Sequence, residues 1–458
     1  MKRFKVLSAA ALLLVTAGVA ATALAWHPAL PPIDRARNFD PSLVKRGETL
    51  AALGNCGGCH SAPDRPAFSG GLPVETPFGA IYASNITPDP DAGIGRWSEE
   101  AFRRAMREGV DRAGRNLYPA FPYNHYTEVT DADDGALYAY LMTRTPAPAE
   151  VRSPALPFPL NLRPVMAAWN LLFFRAGAYT PDPARSPDWN RGRYLVEGLG
   201  HCGACHTPHG LLGEEKSNAA FAGGMAEGWN AYALNEASPA PVPWTVDSLA
   251  FYLHHGWQAV HGSARGPMAL VTANLGSVPE EESRAMAVYL MSLMGPQSAD
   301  KVAEASAREA QVPTPLAAAS AGSQVAIAST SNDRGALLYA GACASCHSSG
   351  RPLPYGGLTL SLSSALHAPD PSNVITVTLH GLAAPPGAPG SIMPGFAGAL
   401  SDPDLAALLA YLRADVAHEV PWPDLDATVK TARARGATLV VSDGTGAAPA
   451  DTHTRIAP

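Results

Sequence analysis

The sequence predicts a mainly α-helical chain, three tandem copies of one small domain behind an N-terminal signal or membrane-anchor helix. Three observations predict it. All six cysteines fall in three copies of one pentapeptide. Each pentapeptide is led by a basic residue and a glycine and is followed, further on, by an amphipathic stretch holding a Tyr-Leu pair. And 43 prolines and 42 glycines against 16% charged residues describe small units joined by irregular connections rather than one large core.

The N-terminus opens with Met1, Lys2, Arg3 and Lys5, then runs uncharged from Val6 to Trp26. A basic start before an apolar run is the export pattern. The run is close to the roughly 20 residues a membrane-spanning helix needs, while Ala23-Leu24-Ala25 offers a small-x-small cleavage site, so residues 1–26 read as a signal peptide or an anchor. Both readings put the remaining chain outside the cytoplasm.

The pentapeptides are Cys56-Gly-Gly-Cys59-His60, Cys202-Gly-Ala-Cys205-His206 and Cys343-Ala-Ser-Cys346-His347. Cys-x-x-Cys-His is the attachment sequence for c-type haem: two thiols add to the porphyrin vinyl groups and the adjacent imidazole is placed to be the proximal iron ligand. A disulfide framework would not explain a histidine after every pair with no cysteine left over. Zinc would want a second cysteine or histidine pair at a regular spacing, which is absent. Three covalently bound haem c groups are expected.

The pentapeptides lie in three longer repeats. These open at Arg46-Gly47, Arg191-Gly192 and Arg334-Gly335, and a helical stretch in each ends at Gly109, Gly256 and Gly381. Twelve residues after Gly256 stands Met268, and twelve after Gly381 stands Met393. Each repeat closes on a helix with a Tyr-Leu pair, in "GALYAYLMT", "RAMAVYLMS" and "LAALLAYLRA". Leading helix, haem site, ligand loop and closing helix make a cytochrome c-type domain. Met268 and Met393 are the expected distal ligands of the second and third haems, and thioether sulfur opposite imidazole raises the potential of the iron. The bland role of methionine is core filler, which suits Met106, Met286, Met291 and Met294 on apolar helix faces.

In the first repeat the twelfth position is Phe121, and His125 follows four residues on, where the other repeats have Thr272 and Ala397. That substitution points to His125 as the distal ligand, giving a bis-histidine iron with His60 and a lower potential than the other two. An open iron, or ligation by Tyr123 or Tyr126, is the competing reading. The organisation expected is domain 1 over residues 40–145, a proline-rich connection over 146–184 with the apolar run Val165 to Phe174, domain 2 over 185–295, an Ala/Ser linker over 296–330, domain 3 over 331–416 and a tail over 417–458. The apolar run fits a membrane surface or partner groove as well as a packed short helix. A net charge of -7 without a basic stripe excludes nucleic acid as partner. No nucleotide loop, nucleophile triad or paired carboxylates suggest substrate chemistry in this chain.

On the three haem sites and on "LYPAFPYNHYTEVTDADDGALYAYL", "GHCGACHTPHG", "GWNAYALN", "VPWTVDSLAFYLHHG" and "GPMALV", the chain from Lys45 to about Leu412 resembles the membrane-bound triheme cytochrome c subunits of bacterial periplasmic dehydrogenases. That group contains the cytochrome subunits of quinoprotein alcohol dehydrogenase and of flavin-dependent gluconate dehydrogenase. The resemblance implies a catalytic dehydrogenase subunit as partner, and electrons passed to ubiquinone or a terminal oxidase at the periplasmic face of the inner membrane. Alcohol dehydrogenase relatives place a methionine in a Pro-Ala-Met-Pro stretch where this chain has Phe121. Phenylalanine with a following histidine is more similar to the cytochromes that accompany molybdenum hydroxylases acting on aldehydes or N-heteroaromatic compounds. The partner therefore stays open between these groups. A stand-alone haem enzyme with an open first iron is the reading from a different class, and reaction of that iron with cyanide or peroxide separates the two.

Overall fold

The computed structural model describes residues 26–34, 38–63, 65–150, 152–310, 333–349, 357–383 and 391–439. The expected signal or anchor, up to Ala25, lies outside them. The chain groups into two compact units. The first holds the chain up to Phe221 with Leu249–Gly256 and Pro267–Leu293, and the second holds Ala222–Ser248, Trp257–Gly266 and the chain from Met294 onward.

In the first unit, helix α1 (Pro41–Leu53) starts where Asp40 accepts from the Ser42 backbone N–H with proline at the first turn, and it stops at Gly54. The attachment helix α2 (Cys56–His60) follows at once. A hairpin of β1 (Pro73–Thr76) and β2 (Gly79–Tyr82), with Pro73 opposite Tyr82, returns the chain toward it. Helix α3 (Glu99–Glu108) is capped by Ser98, carries Glu99 and Glu100 at its positive end and is ended by Gly109 at φ 64°. A single turn α4 (Tyr123–Tyr126) precedes the closing helix α5 (Asp131–Met142). The connection contains α6 (Val165–Phe173). Its Met166 is buried, while Leu171 and Leu172 are exposed.

The second repeat starts at α7 (Pro187–Arg193), which runs into a π-helical turn at Tyr194–Leu199 and then the attachment helix α8 (Gly203–His206). Helix α9 (Val246–His255) ends at Gly256, and α10 (Pro267–Leu275) and α11 (Glu280–Met294) complete the repeat.

The second unit contains the hairpins of β3 (Gly224–Ala226) with β4 (Trp229–Ala231) and of β5 (Trp257–Gln258) with β6 (Gly262–Ser263). Helix α12 (Ala299–Ala310) comes next, followed by α13 (Arg334–Ala342), the attachment helix α14 (Ala344–His347), α15 (Ser364–His367) and α16 (Ser372–His380). The pair β7 (Leu382–Ala383) and β8 (Ser391–Met393), then α17 (Asp402–Tyr411) and α18 (Leu425–Leu439), finish it.

One helix crossing recurs three times, and it explains the Arg-Gly signal. A Cβ built on Gly47 would lie 2.0 Å from the Ala136 carbonyl oxygen, on Gly192 2.0 Å from that of Ala285, and on Gly335 2.2 Å from that of Ala407. The same Cβ atoms would meet Cβ of Tyr140, Tyr289 and Tyr411, the tyrosines of the Tyr-Leu pairs. Only glycine allows leading and closing helices to touch backbone to backbone. The arginine before each glycine pairs with a carboxylate near the start of the closing helix: Arg46 with Asp133 at 2.6 Å, Arg191 with Glu282 at 2.8 Å, Arg334 with Asp404 at 2.8 Å. Around the crossings Leu50, Leu137, Leu141, Leu195, Leu199, Leu290, Leu405 and Leu409 are buried, each such side chain contributing about 1.5–3 kcal/mol.

Two boundaries differ from expectation. The segment read as a flexible linker from residue 296 begins as α12, whose Ala305 is buried beside Val242 and Leu362. Alanine read there as linker composition, yet with Glu and Lys it is the strongest helix former; the rest of that linker, 311–332, lies outside the described residues. The tail beyond residue 417 is structural through Leu439, since Val429 of α18 is fully buried and Arg433 reaches Asp402 at 2.5 Å. Among the described residues no helix is long and apolar enough to cross a membrane.

Candidate haem attachment sites

Each pentapeptide forms a short helix just after its leading helix, so the two cysteines project from neighbouring positions of one turn with the histidine beside them. The residue before the first cysteine takes a left-handed conformation in the first two repeats, Asn55 at φ 48° and His201 at φ 39°, and this makes the sharp turn into the attachment helix. None of the six cysteines is in a disulfide. Burial pushes the Cys56 and Cys202 thiols up to about 12, with Cys59 and Cys205 respectively adding to the rise. Burial also raises Cys343, with Cys346 beside it.

The imidazoles are set as ligands in two repeats. His60 Nδ1 lies 2.6 Å from the Ser84 carbonyl oxygen and His347 Nδ1 2.9 Å from that of Leu358. A carbonyl only accepts, so Nδ1 carries the proton and Nε2 keeps its lone pair, the arrangement usual for metal-bound histidine. Burial holds His60 below the ordinary imidazole value, with the Ser84 carbonyl partly offsetting it, which favours the neutral form a ligand needs. Ser84 is brought there by the β1–β2 hairpin, which is why a small sheet sits in an otherwise helical repeat. Two cysteines on one turn, neither in a disulfide, beside an imidazole with a fixed tautomer fit covalent haem; His206 occupies the same position on α8.

Met268 is the second residue of α10 and Met393 ends β8 opposite Leu382, both half-buried. Gly381, at φ 75°, packs directly on the Met393 backbone, which sets the end of β8 against the end of α16. In the first repeat Gly109 faces the Tyr123 ring, whereas in the second Gly256 faces the Thr272 side chain. The side chain met by the helix-ending glycine thus stands fourteen residues on in the first repeat and sixteen in the second. Phe121 packs on Tyr126, ring centroids 5.2 Å apart. Tyr126 is buried, and the negative charge of Cys56 and Cys59 adds to the burial that raises its phenol.

His125 has a partner on each ring nitrogen. Its Nδ1 lies 2.6 Å from the Glu197 carbonyl oxygen and its Nε2 2.7 Å from Glu215 Oε1. A Cβ on Gly203, between Cys202 and Cys205, would stand 3.0 Å from His125 Cε1. The ring belongs to the surroundings of the second attachment helix. Sequence reasoning missed Glu215, His201 and Asn274, all solitary polar residues in loops or at a helix end with no periodic signal. His201 is buried against Tyr126 at 5.5 Å, with Nε2 3.4 Å from the Gly54 carbonyl oxygen, and burial first and then His125 push it down to about 4. In the second unit His261 is buried and stacked on Trp244. Among the described residues no group of His, Cys, Asp or Glu side chains is arranged to hold a further metal ion.

Residues 330–412 match the family described as cytochrome C oxidase, cbb3-type, subunit III. The chain is 36% identical over 398 residues to the gluconate 2-dehydrogenase cytochrome c subunit of Pantoea cypripedii, covering 81% of this chain and 85% of that protein. The chain belongs to the cytochrome c subunits of dehydrogenases. Membership implies covalently bound haem c, in agreement with the attachment helices. This cytochrome subunit is also 43% identical over 423 residues to a nicotinate dehydrogenase subunit of Pseudomonas putida, which covers 91% of this chain and 34% of that protein. It thus spans about a third of the length of that relative. A diheme cytochrome c-type protein of Cereibacter sphaeroides is 38% identical over 291 residues, 60% of this chain and 96% of its own.

Proposed function

We propose that this cytochrome subunit is a three-haem electron carrier of an exported dehydrogenase complex, taking electrons from a catalytic subunit and passing them to ubiquinone or a terminal oxidase at the periplasmic face of the bacterial inner membrane. The observation that carries this is the threefold attachment helix, each with two cysteines outside any disulfide and a histidine, in three repeats closed by the same helix crossing. Cys56, Cys59 and His60 hold the first haem, Cys202, Cys205 and His206 the second, Cys343, Cys346 and His347 the third, with Met268 and Met393 as distal ligands of the second and third. The haem supplies an iron that gains and loses one electron. The protein fixes the imidazole tautomer through Ser84 and Leu358 and supplies thioether sulfur that raises two of the potentials.

The catalytic partner we favour is a molybdenum hydroxylase acting on an aldehyde or an N-heteroaromatic compound. Support comes from the 43% identity to a subunit named for nicotinate dehydrogenase, since nicotinate is an N-heteroaromatic acid. The alternative is an alcohol or gluconate dehydrogenase, supported by 36% identity to the gluconate 2-dehydrogenase subunit. For membrane association, the support is the apolar export run before residue 27 and the exposed Phe158, Leu171 and Leu172 around α6.

Solubilisation in detergent and capture through this subunit, with metal, cofactor and haem analysis of the complex, tests the reading. Molybdenum with three haems per cytochrome chain is expected. Pyrroloquinoline quinone or flavin would move the partner to the alternative, and recovery of the chain with no dehydrogenase would overturn the carrier role.

A further inference from the structure

The first repeat shares one unit with the attachment segment, α10 and most of α11 of the second, and each repeat sends the end of its ligand loop onto the attachment segment of the other. From the first repeat, α4 places His125 against Gly203 of α8, with Glu197 and Glu215 of the second repeat as partners and Asn124 donating to Glu215 Oε1 at 3.0 Å. From the second repeat, α10 begins with Pro267 and Met268 and ends beside Asn274, whose amide donates to Asn55 Oδ1 at 2.6 Å. Asn55 precedes Cys56, and its amide lies where a Cβ on Gly58, between Cys56 and Cys59, would stand 2.6 Å away. Asn274 stands two residues beyond Thr272 as His125 stands two beyond Tyr123, the residues that pack on the two helix-ending glycines. The exchange is reciprocal.

The protons of His125 decide its role. Nδ1 faces a carbonyl oxygen, and Nε2 faces Glu215, which the His125 ring and Asn124 stabilise as the carboxylate. Both partners only accept, so both ring nitrogens carry hydrogen. Such an imidazolium has no lone pair to give an iron.

We propose that His125 is a positioning residue of the second haem site, held as a cation between Glu197 and Glu215, and not the distal ligand of the first haem, with Asn274 as its counterpart on the first attachment helix. This rests on the haem reading above. The consequence is electrostatic as well as steric. The His125–Glu215 pair, neutral as a whole, sits against the helix that carries Cys202, Cys205 and His206. Removing the cation leaves a negative charge that favours ferric iron, and removing the carboxylate leaves a positive charge that favours ferrous iron.

The test uses the full-length haem-loaded chain with His125→Gln, Glu215→Gln and His125→Arg, read by pyridine haemochrome content and by electron paramagnetic resonance during potentiometric titration. In all three, the low-spin signal of the first haem is expected to match wild type. One other haem is expected to shift down in His125→Gln, up in Glu215→Gln, and to stay near the wild-type potential in His125→Arg. Arginine restores the charge but cannot ligate iron, so it also serves if His125→Gln does not assemble. Conversion of the first haem to high spin in His125→Arg would restore the ligand assignment and overturn the proposal, as would shifts of the same sign in both glutamine variants. Fewer than three haems in the wild-type chain would instead overturn the haem count on which it rests.

Discussion

Within α13, Gly335 and Gly341 stand six residues apart on one helix and have opposite surroundings. A Cβ on Gly335 would lie 2.2 Å from the Ala407 carbonyl oxygen and 2.6 Å from Tyr411 Cβ, while one on Gly341 meets nothing within 4 Å. Carbon contacts relax near 3.5 Å, so Gly335→Ala forces α13 and α17 apart by about 1 Å. Overpacking of this kind costs about 1–3 kcal/mol. Gly341→Ala, in the same helix without a clash, gains roughly 0.5–1 kcal/mol of backbone entropy. The two variants therefore differ by about 1.5–4 kcal/mol, and a factor of ten in local opening corresponds to about 1.4 kcal/mol. The Arg334–Asp404 pair cannot mask this, because Arg334 is 62% exposed and such pairs contribute at most about 1 kcal/mol. Hydrogen exchange read by mass spectrometry on the peptide covering residues 402–411 is the assay. Exchange in Gly335→Ala should run roughly ten- to several-hundred-fold faster than in Gly341→Ala. Equal rates would show that the crossing does not depend on backbone contact and would remove the reason given for all three Arg-Gly pairs.

Burial pushes the Asp134 carboxyl up to about 8, against the pull of Arg107, and neither oxygen accepts a hydrogen bond among the described residues. Its folded value exceeds the unfolded one, so its contribution is full below about pH 4 and is lost as pH rises through about 8; urea unfolding should show Asp134→Asn matching wild type at pH 4 and exceeding it at pH 8, by up to several kcal/mol. Met268→Ala should lower the midpoint potential of one haem in a redox titration and leave the others in place. Cys343→Ser with Cys346→Ser should reduce the pyridine haemochrome content by about a third, with the remaining haems retaining their potentials.

Much of this arrangement was legible in the sequence because its signals are local. The attachment pentapeptide is five residues of contiguous chemistry, and the Arg-Gly and Tyr-Leu signals report one helix crossing from its two sides. Ser84 and Leu358 were not legible, since any residue can present a carbonyl to a histidine. The surroundings of His125 were not legible either, because the Glu197 carbonyl, Glu215 and Gly203 all belong to the second repeat and only the fold brings them to the ring. The helices α12 and α18 escaped because alanine-rich, weakly charged stretches serve equally as linkers and as helices until something packs on them, as Leu362 and Val242 do on Ala305.

Three interchangeable crossings in one chain raise a problem of self-recognition during folding. Arg191 is closer in sequence to Asp133 than Arg46 is, yet Arg46 holds that carboxylate. Chain entropy would favour the wrong partner, though only weakly, because even a doubling of loop length costs only about 0.6 kcal/mol. Asp133 resolves the competition by having two tasks. Its Oδ1 takes Arg46 and its Oδ2 takes the Tyr194 hydroxyl at 2.6 Å. With the first oxygen occupied, the second repeat meets Asp133 only as a neighbour, through Tyr194, and Arg191 is left to find Glu282. A single carboxylate thus keeps like from pairing with like, and sorts one repeat from the next.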